Sequence, residues 1–298
     1  MKPVVIDRLE DLKWEECICP LCGTSESQTV LMNKEPLTEG QFGYKVHPVI
    51  CTCGLVYLNP RWDAPTYSRF YKNYYDDLYR LDEKEDYGIE GIKRNTKEIF
   101  NRISQYIELI KPKNIIDVGC GSGAGFLYLN EVLDDVKYYG VESSEDSIQK
   151  LEKMGVKVVD SDLEGDWTKT YNGFFDLLIM RHVVEHILHP IDALTKIAKT
   201  LHSDGIAYIA VPDMMRPRVK LRDYEKWWEY YFRAVHPYYY SKETLFTLLN
   251  MCGLEVLAFG EENDEIWCVV NTKITNQGSK ERTNSYDEQI RVLEKYLP

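Results

Sequence analysis

The stretch IIDVGCGSGAG, Ile115 to Gly125, constrains this chain more than any other feature. An apolar, strand-like run passes directly into glycines at alternate positions, Gly119, Gly121 and Gly123, and then into a helix-forming segment. Residues without a Cβ let the backbone turn tightly and approach a bound molecule closely. In open α/β sheets, ligands bind at the carboxyl ends of the strands, where such a turn would lie.

The flanking pattern is consistent with that placement. Apolar strand-like runs at Asn114–Val118, Tyr138–Glu142, Val156–Asp160, Phe175–Met180 and Gly205–Val211 alternate with helical segments at Gly123–Leu133, Ser144–Met154 and near Ile191–Leu201. Ser143 or Ser144 is the expected N-cap of the second of these helices. A helix at Lys242–Met251 is stopped by Gly253, and two final strands, Glu255–Phe259 and Ile266–Lys273, flank the polar turn EENDE. Alternation of this kind predicts a Rossmann-like α/β fold with a mostly parallel sheet. The closing pair predicts an antiparallel hairpin at its edge. Upstream, Ile92, Thr96, Ile99, Ile103, Ile107 and Ile110 recur at helical spacing over Ile89–Ile110, which Lys111-Pro112 ends. A last helical stretch is expected near Tyr286–Tyr296.

The glycine turn admits two cofactor readings. Gly119-x-Gly121-x-x-Ala124 fits a dinucleotide fingerprint, with Glu142 placed to hold a ribose. The string Asp117-Val-Gly119-Cys120-Gly121-Ser-Gly123 also resembles D-x-G-x-G-x-G, the first motif of class I S-adenosylmethionine-dependent methyltransferases. The resemblance spans roughly Glu90 to Lys273 and implies a seven-stranded sheet whose edge hairpin dinucleotide-binding domains lack. It also implies site residues. Glu142 would hold the ribose hydroxyls beside Ser143, Asp162 and Leu163 would sit at the adenine, and the backbone near Arg181 would border the cofactor.

A second cluster lies upstream. Cys19-Pro-Leu-Cys22-Gly and Cys51-Thr-Cys53-Gly read as two zinc knuckles, since zinc takes tetrahedral thiolate sets and tight turns present paired cysteines. The second spacing is short, so Cys17 or His47 stands as a substitute ligand. Free cysteines in a loop-rich cap are the plain alternative. The segment, ending CGLVYLNPR at Cys53 to Arg61, resembles methyltransferases with an N-terminal zinc-binding segment, several of which act on sugar nucleotides or other small metabolites. That resemblance implies a structural zinc.

RHVVEHILHP, Arg181 to Pro190, spells H-x-x-E-H, a zinc-peptidase pattern. That chemistry needs a long helix, whereas here the pattern comes directly after a strand and meets Pro190. It resembles instead the methyltransferases' post-strand motif, which implies that His182 faces the acceptor; Glu185 and His186 are expected to tie the loop to neighbouring structure. The insertion from Pro212 to Tyr240 carries Arg216, Arg218, Lys220 and Arg222, a basic run suited to a phosphate or carboxylate. It also carries Trp227, Trp228, Tyr230, Tyr231 and Phe232, rings suited to stacking or to core packing. His236, in HPYYYS, resembles a family position facing the active site, and Tyr240 lies in the same string. Tyr74, Tyr75 and Tyr79 are candidates for a cofactor lid.

Composition excludes some partners. The net charge is −12, against the basic face that phosphate-backbone binding needs, so no nucleic-acid partner is expected. No run approaches a membrane span and MKPVVIDRLEDLKWEE lacks a signal-peptide core, so the cytoplasm is expected and its cysteines are read as thiols or ligands. The domain reading is a zinc-binding segment at 1–60, a helical lid at 61–110, the core at 111–275 with its insertion at 212–240, and a tail at 276–298. The function expected is methyl transfer from S-adenosyl-L-methionine to a small, anionic acceptor such as a sugar nucleotide, with O-methylation favoured and Zn2+ structural. The alternatives are an NAD-dependent oxidoreductase, a zinc hydrolase built on His182 and His186, and a zinc-containing interaction protein without catalysis.

Overall fold

The computed structural model describes residues 12–25, 28–31, 44, 46–75, 89–216, 231–262, 264–272 and 285–296. Its centre is a seven-stranded sheet. The strands are β6 (Asn114–Val118), β7 (Lys137–Val141), β8 (Lys157–Asp160), β9 (Phe175–Arg181), β10 (Leu201–Pro212), β12 (Leu254–Glu262) and β13 (Glu265–Thr272), in the order β12-β13-β10-β9-β6-β7-β8. Pairing is parallel from β8 to β10, while β13 is antiparallel to both β10 and β12. This is the expected Rossmann-like sheet with its antiparallel edge hairpin.

The central strands are apolar on both faces because both are covered. Ile115, Leu177 and Ile179 pack with Ile99, Ile103, Ile107, Phe126 and Leu129. Those side chains come from α2 (Ile89–Ile110) and α3 (Ala124–Val132). The alternate residues Ile116, Leu178 and Met180 pack on the other face with Ala193, Leu194, Leu245 and Leu248, from α5 (Pro190–Ala198) and α6 (Lys242–Met251). Between β7 and β8, α4 (Glu145–Lys153) is capped by the Ser144 side chain, which accepts from the Ser147 N–H. Leu201, expected to end a helix, instead opens β10; the helix stops at Ala198 and Thr200 N–H bonds back to Ile197 O.

The N-terminal segment does not close on itself. β1 (Trp14–Glu15) pairs with β5 (Arg61–Trp62). β2 (Gln28–Val30), β3 (Pro48–Cys51) and β4 (Val56–Leu58) form a sheet whose remaining strand, β11 (Tyr238–Tyr239), comes from the insertion, in the order β11-β4-β3-β2. Tyr238 pairs with Tyr57 and Tyr239 with Val56. The helix α1 (Ala64–Asn73) sends Tyr67 and Phe70 into a core shared with Trp62, Phe232, Val235 and Tyr239. In the tail, α7 (Tyr286–Tyr296) comes after Ser285, which with Gln289 lies where a Cβ on Gly54 would stand. The segment expected at 1–60 therefore shares its sheet with the insertion and its packing with the tail. Among the described residues, no helix is long and apolar enough to cross a membrane.

Candidate active site

The glycine turn sits at the carboxyl end of β6. Gly119, Gly121 and Gly123 take φ of 75°, 55° and 75°, left-handed values that disfavour any residue with a Cβ. Close packing adds a second constraint at two of them. A Cβ on Gly119 would stand 2.7 Å from Val183 Cγ2, and one on Gly123 would stand 2.5 Å from Leu151 Cδ2. A Cβ on Gly121 would meet nothing within 4 Å, so that position borders open space. The Cys120 thiol is buried toward Val141 O at 3.8 Å, and burial pushes it up.

Glu142 comes directly after β7. Its Oε2 accepts from Gly121 N–H and its Oε1 from Ser144 N–H, both at 2.8 Å. These two contacts fix the carboxylate against the glycine turn at the carboxyl edge of the sheet. Burial, and then the neighbouring Glu142 charge, pushes Asp117 up to about 8. Asp162 is exposed and its Oδ1 accepts from Glu164 N–H at 2.9 Å; Leu163 is half-buried beside it.

One cavity of about 1380 Å³ joins these residues to the other candidates. Asp117, Gly119, Cys120, Gly121, Glu142, Ser143, Asp162, Leu163, Arg181, His182, His236 and Tyr240 all line it. His182 comes after β9 in the left-handed region, at φ 56°, an uncommon conformation that often marks functional sites. The turn Val184–His186 is a single 3-10 turn rather than a long helix, which leaves the peptidase pattern without its scaffold.

Three features of the site carry no signal in the sequence. First, Glu265, 3% exposed, anchors the carboxyl edge of the sheet. Its Oε2 meets Arg181 Nε at 2.6 Å and His182 Nε2 at 3.0 Å, and its Oε1 meets Arg102 Nη1 at 2.8 Å. Burial pushes this carboxyl up, but the bonds to His182 and Arg102 and the Arg181 and His182 charges outweigh it and hold Glu265 at about 2. Second, Arg233 lines the cavity beside Tyr231. Third, Tyr71 of α1 lines it and brings its hydroxyl within 2.8 Å of His186 Nδ1. Each is a single residue outside any repeating pattern.

The expectation for Glu185 and His186 needs a correction. His186 does tie the loop down, through Tyr71 and through Val235 O at 2.9 Å. Glu185 does not: it is 1% exposed and neither carboxylate oxygen has a hydrogen-bond partner. The turn points it inward, with His186 Nε2 3.9 Å from its Oε1. Arg216 also lies apart from the cavity lining, with its guanidinium bonded to Glu261 O at 3.1 Å and near Asp213. Arg218, Lys220, Arg222, Trp227, Trp228, Tyr230 and Tyr79 lie outside the described residues. Tyr75 lines the cavity, and Phe232 is wholly buried in the N-terminal core.

Cys19, Cys22, Cys51 and Cys53 converge, with all their Sγ atoms within 4.8 Å of one another. Cys19 and Cys53 Sγ stand 3.5 Å apart, and Cys22 and Cys51 Sγ 3.3 Å apart. A zinc ion with Zn–S bonds of about 2.3 Å spaces its sulfurs by ~3.8 Å, so the set fits a tetrahedral cation after a small expansion. Cys17 stands outside the set, with its thiol toward Leu58 O at 3.5 Å, and His47 packs edge-on against Trp14.

A glycine turn, an acidic strand end and this strand order together define a class I S-adenosylmethionine-dependent methyltransferase. A family model described as a methyltransferase domain matches residues 89–258, and the chain belongs to that family. Among solved structures it is similar to the plantazolicin methyltransferase BpumL in complex with a triazolic desmethylPZN analog and SAH, at 14% identity and TM-score 0.54, covering 69% of this chain and 95% of that one. The same enzyme in complex with SAH gives 15% identity and TM-score 0.53, over 70% and 94% of the two chains. A SAM-dependent methyltransferase from Archaeoglobus fulgidus gives 19% and 0.49, over 66% and 100%. No curated protein matches the chain.

Proposed function

We propose that the enzyme methylates an oxygen of a small anionic acceptor, with a sugar nucleotide or sugar-linked metabolite as the first choice. The observation that carries this reading is the single cavity, which runs from the glycine turn to an end lined by His182, His236, Arg233 and Tyr240. S-adenosylmethionine supplies a methyl group activated on a sulfonium. The chain's residues then hold the two substrates in line and exclude water. Glu142 receives the ribose, Asp162 and Leu163 the adenine, and the N–H groups of the glycine turn lie along the remainder. Arg233 offers the acceptor a positive charge. Burial lowers His236 well below the ordinary histidine value, so it presents a neutral imidazole lone pair. Tyr240, 1% exposed with its hydroxyl unpartnered, offers a further contact.

We also assign a structural zinc to Cys19, Cys22, Cys51 and Cys53. Four thiolates fill a tetrahedral ion and leave no position for substrate. All the cysteines are free of disulfides, which suits a reducing compartment, and we place the enzyme in the cytoplasm. The acceptor is tested by screening nucleotide sugars with a tritiated methyl donor. Label should enter at least one of them as an alkali-stable ether. Failure of every nucleotide sugar, with adenosylmethionine binding intact by calorimetry, would refute the acceptor class.

A further inference from the structure

Beyond the thiolate cluster, one other group of side chains among the described residues has metal-ligand geometry. One carboxylate oxygen of Glu185 and one ring nitrogen each of His186 and His236 lie within 4.8 Å of one another. Two of these residues occupy the 3-10 turn Val184–His186 after β9, and the third precedes β11. All three line the cavity.

Their surroundings orient them as donors. His186 Nδ1 lies 2.9 Å from Val235 O and 2.8 Å from the Tyr71 hydroxyl; the carbonyl only accepts while the hydroxyl can accept too, so a proton on Nδ1 satisfies both contacts. Nε2 then keeps its lone pair, and it is Nε2 that faces Glu185, 3.9 Å from Oε1. A backbone carbonyl fixing the tautomer in this way is what metal-bound histidines commonly have behind them. The His236 ring stands edge-on to that of His186, with centroids 4.6 Å apart. Glu185 makes no hydrogen bond through either oxygen. A buried polar group without a partner is unfavourable, and more so when it is charged. Burial pushes the Glu185 carboxyl up to about 8, against its own backbone N–H and the Arg233 and Arg181 charges, and a cation held between it and the two imidazoles would give those oxygens a direct partner.

We propose that Glu185, His186 and His236 hold a divalent transition-metal cation at the acceptor end of the cavity, with open positions that bind an oxygen of the acceptor. Two imidazoles and one carboxylate with free positions form a donor set suited to manganese, iron(II) or zinc. The inference rests on the reading of this end as the site of an oxygen acceptor. There the cation lowers the pKa of a coordinated hydroxyl, whose proton passes to water. The oxygen forms a bond to the methyl carbon, the carbon–sulfur bond breaks, and sulfur leaves with that electron pair as a neutral thioether. His236 then acts by holding the cation, and Arg233 meets an anionic group of the same acceptor.

The test uses the full chain carrying one equivalent of zinc, titrated with Mn2+ and monitored by electron paramagnetic resonance. Manganese is chosen because a tetrathiolate site disfavours it. One saturable Mn2+ per chain is expected, weakened at least tenfold in Glu185→Gln and in His236→Asn. Adenosylmethionine affinity by calorimetry should stay within threefold in both. Substoichiometric Mn2+ should also broaden the imidazole resonances of His186 and His236 in the unaltered protein while leaving exposed His202 sharp, a reading that needs no variant to fold. Absence of saturable Mn2+, equal binding in both variants, or uniform broadening would overturn the site. If Mn2+ binds as stated and no oxygen acceptor is methylated, the site stands and the acceptor reading falls. If methylation proceeds at an equal rate after Mn2+ is stripped, the acceptor reading stands and the site falls.

Discussion

Glu265 and His182 meet at 3.0 Å although 83 positions separate them in the chain. Two registers bring them together. β9 and β10 pair Arg181 with Ala210, whose carbonyl takes the His182 N–H, and β10 and β13 pair Pro212 with Glu265. The carboxylate therefore stands over the carboxyl edge and anchors both Arg181 and His182. In Glu265→Gln, the half-buried Arg181 and the imidazole of His182 lose this buried anion, and Arg102 keeps only Glu262, at 3.2 Å. Breaking such a buried pair costs about 3 kcal/mol, and turnover should fall as His182 loses its orientation. The pH dependence has a definite sign. A carboxyl held at about 2 contributes stability above the ordinary glutamate value of about 4.3. That contribution is lost as pH falls from there to about 2. Urea denaturation across this window should show a steep acid limb in the parent protein and a shallower one in the variant.

Asp117 acts with the opposite sign. It keeps a proton up to about pH 8 in the fold but releases it near 3.9 when unfolded. Its contribution is complete below about pH 4 and declines as pH rises to about 8. Asp117→Asn removes this dependence. Between pH 6 and 8 the parent protein should lose roughly 2 kcal/mol relative to the variant, measured as the difference between their denaturation midpoints. Parallel curves would show that Asp117 ionises normally.

The glycines separate folding from binding. Gly119→Ala adds a Cβ 2.7 Å from Val183 Cγ2 at φ 75°, and strain plus overpacking should cost roughly 2–4 kcal/mol. Gly121→Ala has positive φ but open space, so its cost should be about 1 kcal/mol. Its new methyl borders the cavity beside Glu142, and adenosylmethionine affinity should fall tenfold or more. Thermal melts and calorimetry on the two variants measure the contrast, and unchanged affinity in Gly121→Ala would place the cofactor elsewhere.

If the four thiolates hold the zinc we assign to them, removing it should reach the acceptor end. Cys51 lies on β3, which pairs with β4, and β4 pairs with β11, whose Tyr238 lines the cavity. Cys51→Ser should lose its zinc by elemental analysis and lower the melting temperature by several degrees, roughly what 1–2 kcal/mol gives in a domain of this size. Acceptor KM should rise more than adenosylmethionine Kd. An equal rise in both would show that the N-terminal sheet supports the whole fold rather than one end of the cavity.

The elements are legible wherever a local pattern repeats. The strand Asn114–Val118, the helices Ile89–Ile110 and Lys242–Met251 and the cap at Ser144 arise from periodicity and capping chemistry. These preferences act over a few neighbouring residues. The end of α5 departs from the apolar spacing because Leu201 continues that spacing without being helical; Thr200 bonding back to Ile197 ends the helix there and leaves Leu201 to pair with Phe175 in β10. Tyr238 and Tyr239 read as part of a loop, since two residues show no periodicity and their strand partner lies in the N-terminal segment.

The sequence by itself determined the alternation, the glycine turn at the end of β6, the acidic end of β7 and the two cysteine pairs, because each is a local requirement on conformation or ligand chemistry. Tertiary structure alone decided that Glu265 secures Arg181 and His182, that Arg216 pairs away from the cavity, and that Glu185 faces His186 and His236 without a hydrogen bond. Those relationships depend on strand register and on which loops pack together. They are set by the free energy of the whole core, and no short stretch of the chain encodes them.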